Sequence, residues 1–145
     1  MAFYDDVHTT KRFRLGTRVK DVAGNEYIYL TGVASTVDKD WVTFDEVHIT
    51  TRAAAGGKGR VAIANAAVDA ATEFGWYGIY GSFSGNVLTG FVDNADVWLT
   101  ATAGSVDDAD VAGDAIVGAV GRSAVASGVA TFELNYPWAG APTID

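Results

Sequence analysis

The chain has 145 residues, no cysteine and a net charge of −8. That length suits one domain able to bury roughly two-thirds of the surface its unfolded chain exposes. The missing thiols exclude disulfides, thiolate metal sites and a cysteine nucleophile, and the acidic balance argues against a nucleic-acid partner, which needs clustered cations.

The charge is unevenly spread. Residues 1–60 hold nine basic side chains against eight acidic ones, whereas residues 61–145 hold ten acids and only Arg122. The chain is therefore electrically two-sided, and its first half offers a docking face for an acidic partner or a neighbouring subunit. The opening MAFYDD is acidic where a signal peptide is basic, and no apolar run follows it. The apolar region 111–130 is interrupted by Asp114 and Arg122 and is mostly Ala and Gly, so it fails as a membrane span.

Residues 1–13, MAFYDDVHTTKRF, have no clean period and mix aromatic rings with charge. They read as an arm that becomes ordered against something else. Residues 16–34 read as a hairpin turning at Ala23-Gly24-Asn25, with Glu26–Leu30 as the returning strand. WVTFDEV, 41–47, alternates as a third strand. AAAGGKGR, 53–60, is a glycine-rich loop; it is not a phosphate loop, because Gly59 follows Lys58 where a Ser or Thr must coordinate magnesium. Residues 60–74 fit helix or strand, and the all-β surroundings favour a strand followed by a loop at Asp69–Glu73.

EFGWYGIYG, 73–81, puts four aromatic rings and three glycines into nine positions. As a strand it has two apolar faces, which requires cover on both sides. The expectation is Phe74, Trp76 and Tyr80 inward, with Tyr77 and Ile79 directed toward a subunit interface. Turns follow at 84–86 and 93–96, enclosing a strand at 87–92, and another strand is expected at 97–104. An acidic loop spans 105–114, then come a strand at 115–120, the turn GRS, and ATFELNYP at 130–137. There Phe132, Leu134 and Tyr136 share a face, and Pro137 ends the strand by removing a ladder donor. About eight to ten short strands and Gly-rich turns predict an all-β fold, a compact barrel or sandwich over 14–145 preceded by the arm.

Chemistry is sparse in this sequence. Its two histidines, His8 and His48, have no nucleophile context, and GSFSG, 81–85, reads as a hairpin turn and not as a nucleophile elbow. Asp107, Asp108, Asp110 and Asp114 suggest a calcium loop, but Ala119 stands where the bidentate Glu belongs, so a solvated loop is the better reading. No cofactor or metal site is expected. Trp41, Trp76, Trp98 and Trp138 are candidates for stacking on sugars, although the first three lie in strand patterns where tryptophan fills cores or interfaces.

The order of LGTRVKDVAGNEYIYL (15–30), Gly75–Trp76, LTATAGSVDD (99–108), AGDAIVGAV (112–120) and ATFELNYP (130–137) resembles small virion proteins of tailed bacteriophages, in particular capsid decoration or cement proteins. The resemblance implies a non-enzymatic β-rich subunit, made in the host cytoplasm and commonly a homotrimer. Such a subunit binds the major capsid protein on the outer surface of the virion and stabilises the shell. In that picture the arm residues Phe3, Tyr4, Lys11, Arg12, Phe13 and Arg14 contact the capsid, and Tyr77 and Ile79 contact a neighbouring subunit. A phage tail component and a small carbohydrate-binding sandwich remain alternatives.

Overall fold

The computed structural model describes residues 4–140, and within them it is all-β with no helix. Eleven strands follow in chain order: β1 Val7–His8, β2 Arg18–Lys20, β3 Glu26–Thr31, β4 Trp41–Phe44, β5 Thr50–Arg52, β6 Gly59–Ala64, β7 Phe74–Asn86, β8 Val97–Leu99, β9 Val106–Asp107, β10 Ala115–Gly121 and β11 Val129–Ala139. All named pairings are antiparallel, along a path β2-β3-β7-β6-β11-β10-β8-β9, with β4 on β6, β5 on β4 and β1 on β7. The sheet is not closed by a ladder, so the architecture is an open barrel or sandwich.

Strands β3 and β4, the Val61–Ala64 part of β6 and the Gly75–Ile79 part of β7 are buried on both faces and alternate between two cores. Tyr27, Tyr29, Trp41, Val61, Ile63 and Trp76 face the larger one, together with Phe83, Phe91, Phe132 and Leu134. Ile28, Leu30, Val42, Phe44, Ala62, Ala64, Val68, Tyr77 and Ile79 form the smaller one. The chain itself covers this second face. Thr50 donates from N to Thr31 Oγ1 (3.2 Å) and from Oγ1 to the Thr31 carbonyl (2.9 Å), while Thr31 N donates to the His48 carbonyl. These bonds draw β5 against the end of β3, so that β3, β7, β6, β4 and β5 curl around the smaller core.

This overturns the expected exposure of Tyr77 and Ile79, which are 0% and 3% exposed. The two apolar faces of the stretch are real, but the outer one is filled by residues of the same subunit. Tyr80 moves the opposite way, to 39% exposure. The cause is a bulge: Tyr27 pairs with Gly78 and Glu26 with Tyr80, leaving Ile79 as an extra residue. Before the bulge, even positions such as Trp76 face the larger core; beyond it, the odd position Phe83 does. At Gly78 a Cβ would enter the Phe83 ring, so close approach requires glycine there.

Other boundaries differ from expectation for local reasons. Residues 81–86 continue β7 instead of turning, because their backbone pairs with β11 from Leu134↔Gly81 to Val129↔Asn86. Residues 87–92 are no strand beyond an isolated bridge at Val87, and β4 and β8 are shorter than their patterns. Strand β11 runs through Pro137 to Ala139. Tyr136 takes φ +49° opposite Gly118 at φ +82°, a kink that places the proline nitrogen outside the ladder, after which Val117↔Trp138 and Ile116↔Ala139 pair again.

Candidate interaction surfaces

The N-terminal segment is docked on its own domain. Tyr4 stacks on Tyr27 with ring centroids 4.3 Å apart, and its carbonyl accepts from Asn65 Nδ2 (2.9 Å). Val7 and His8 pair with Gly75 and Phe74, and Phe13 sits 5.2 Å from Trp76 and 5.3 Å from Tyr29. His8 Nδ1 lies 2.8 Å from the Tyr29 hydroxyl, which also accepts from Arg12 N (3.3 Å). Tyr4 and Phe13 therefore pack over the open end of the larger core instead of standing clear of the domain, with Phe13 still 38% exposed. The aromatic surface of Tyr27, Tyr29 and Trp76 is nearest to them and would otherwise meet water. Phe3 lies outside the described residues.

The segment that docks carries three cations, and the backbone of Arg12 and Arg14 is bonded to the domain. Lys11, Arg12 and Arg14 are exposed, and no salt bridge joins them to a carboxylate among the described residues. Most other basic residues of the first half serve the fold, although Lys58 is likewise exposed and makes no salt bridge among the described residues. Arg52 reaches the buried Asp40 carboxylate at 2.8 Å, and Arg60 donates to the Asp45 carbonyl (2.9 Å) while its guanidinium lies 4.5 Å over Phe44. Arg18 and Lys20 flank the buried Glu26 at 3.7 and 4.0 Å.

A second surface surrounds the kink of β11. Tyr136, expected to share a face with Phe132 and Leu134, is instead 47% exposed while they are buried, and Trp138 is 41% exposed. The Tyr136 hydroxyl donates to Glu26 Oε1 at 2.7 Å, tying β11 to the β2–β3 hairpin, and this bond raises the phenol pKa above its ordinary value. Its ring lies 5.2 Å from Tyr80 and 5.8 Å beneath the Arg18 guanidinium. Beside it opens a groove of about 250 Å³ between Arg18, Arg60, Ile79, Tyr136, Pro137 and Trp138. Sequence alternation missed Tyr136 because a left-handed residue breaks the period; the following Pro137 was the available signal.

The acidic loop is put to structural use. Asp108 Oδ2 accepts from Val92 N (3.1 Å) and Asp114 Oδ1 from Gly56 N (2.8 Å), so the two carboxylates hold different loops. No group of three His, Asp or Glu converges as a metal site among the described residues. The glycine-rich loop thus receives a carboxylate of the same chain at Gly56. A cavity of about 420 Å³ lies near Tyr4, Asp5, Asp38, Lys39 and Asn65, where Lys39 pairs with Asp38 at 3.0 Å. Trp41 and Trp76 are fully buried and offer no face for stacking.

Compared with known proteins, the chain matches no family model, and neither a curated protein nor a solved structure shows significant similarity to it.

Proposed function

We propose that the chain is a non-enzymatic virion structural protein that binds the outside of an icosahedral phage shell and stabilises it, as decoration or cement proteins do. The observation that carries this is the exposed basic cluster Lys11, Arg12 and Arg14, borne on a segment docked to the domain, in a chain of net charge −8. Fixed cations on an acidic body favour one docking orientation on an acidic surface and repel others. The ordered strand-and-turn motifs that resemble phage decoration proteins support the same reading. The mechanism needs no reaction: binding only the assembled shell stabilises it by mass action, and many weak sites on one particle sum.

The test is co-sedimentation with expanded shells assembled from the major capsid protein of the phage that encodes the chain. Saturable binding and a higher rupture temperature of the shell are expected. Reversal of Lys11, Arg12 and Arg14 to Glu should weaken binding at least about tenfold at low salt with an unchanged melting temperature. Recovery of the chain in tail fractions, or undiminished binding by the reversed variant, overturns the proposal. A sugar-binding reading is favoured by one observation, the 41% exposure of Trp138; glycan-dependent quenching of tryptophan fluorescence, lost in Trp138→Ala, would support it.

A further inference from the structure

We infer that the groove beside Tyr136 and Trp138 is a self-association surface, and that its occupant is the acidic β8–β9 rim of a second copy of this chain, joined head to tail. The inference is independent of the capsid reading. The patch joins Tyr80, Tyr136, Trp138 and Val117, which are 39%, 47%, 41% and 51% exposed; Val117 is the cross-strand partner of Trp138. Tyr, Trp and Arg are the residues that dominate binding energy where an interface excludes water. The groove is also built in advance. Tyr136 holds a left-handed conformation at φ +49°, which an L side chain adopts at a cost, and its hydroxyl is fixed on the buried Glu26. A rigid aromatic wall loses little entropy on binding.

Charge selects the occupant. Arg18 and Arg60 flank the groove, and among the described residues only Arg18 is offset by a carboxylate, Glu26 at 3.7 Å. Two such grooves placed face to face would bring four guanidiniums together, which disfavours a symmetric contact of like with like. The complementary surface lies at the β8–β9 edge, where Asp93 and Asp110 are exposed beside the exposed Val92 and Val111. Several bonds hold this rim: Asp108 accepts from Val92 N, Asn94 N donates to the Gly121 carbonyl (3.0 Å), and Asn94 Oδ1 accepts from Arg122 Nη1 (2.8 Å), whose charge is offset by Glu133 at 3.1 Å. The rim lies across β10 from Trp138, so a copy cannot fill its own groove. Groove and rim are different patches, so the contact is heterologous and closes into a ring after a few copies when the rotation allows.

The experiment is sedimentation velocity of the full chain at about 100 µM protein, in about 50 mM and about 1 M salt. The expected result is a discrete oligomer at low salt that dissociates at high salt. Val117→Asp, an exposed change that repels the acidic rim, and the double variant Asp93→Lys with Asp110→Lys should each sediment as folded monomers with unchanged circular dichroism, their association weakened at least about tenfold. Mixed one to one, the two variants should form dimers that grow no further, because only one intact groove and one intact rim remain to meet. A monomeric wild type at low salt overturns the inference, as does an oligomer indifferent to both variants. Loss of association in Val117→Asp alone, with no dimer in the mixture, overturns the head-to-tail arrangement.

Discussion

Trp76 and Tyr77 are chain neighbours whose rings enter different cores, and both are fully buried. Trp76→Asp and Tyr77→Asp should therefore both abolish the cooperative thermal transition, because each buries an unpaired carboxylate; a folded Tyr77→Asp protein would show that the second core is not closed. Tyr77→Phe is milder. The hydroxyl donates to the Thr31 carbonyl at 3.0 Å, an oxygen that also accepts from Thr50 Oγ1, so urea titration should show a loss near the lower end of about 0.5–1.5 kcal/mol.

His48 stacks on Phe44, and a Cβ at Gly16 would meet its ring. Burial first, and the nearby Arg60 second, hold its pKa below the ordinary 6.5. Below that value the unfolded chain binds more protons than the folded one, so stability falls as pH drops through 6.5 and levels off below the folded-state value. His48→Asn suits the local φ of +69° and should flatten this part of the profile in urea melts at pH 7 and pH 5.

Among the elements, the N-terminal segment and the last hairpin are the most informative. Deleting residues 1–13 removes β1 and uncovers Tyr27, Tyr29 and Trp76. A loss of about 3–5 kcal/mol is expected by comparison with removing large core rings, with a red shift of tryptophan emission. An unchanged unfolding midpoint would mean that the docking contacts contribute nothing. The turn before β11 has Ser127 at φ +53° and Gly128 at φ +77°, flanked by the Ala126↔Val129 bridge. Two successive left-handed residues suit Asn-Gly, so Ser127→Asn should raise stability by about 0.5–1 kcal/mol in thermal melts.

At the scale of the whole molecule, one buried ion pair joins distant parts of the chain. The Asp40 carboxylate, with its side chain 2% exposed, receives Arg52 Nη2 at 2.8 Å, Arg52 Nε, Val37 N and Asn86 Nδ2 at 3.0 Å each. It fixes the start of β4 to β5 and to the end of β7. Asp40→Ala leaves a half-buried guanidinium without its partner and should cost about 3–5 kcal/mol by denaturant titration. Arg52→Met with Asp40→Leu should recover part of that loss, since an apolar pair of similar volume avoids desolvating two charges.

The sequence by itself determined the fold class, the β2–β3 hairpin, β6 with its following loop, and the two apolar faces of 73–81, because hydrophobic period and turn chemistry are local signals. Only the tertiary structure decided what covers each apolar face. Tyr77 and Ile79 are enclosed because Thr31 and Thr50, far apart in the chain, meet and curl five strands around them. Tyr80 and Tyr136 reach the surface because a bulge and a left-handed residue reverse their parity, and alternation carries no record of a one-residue slip. The groove beside Trp138 exists for the same reason: its walls come from strands whose register is set by pairing across the sheet, which no single segment encodes.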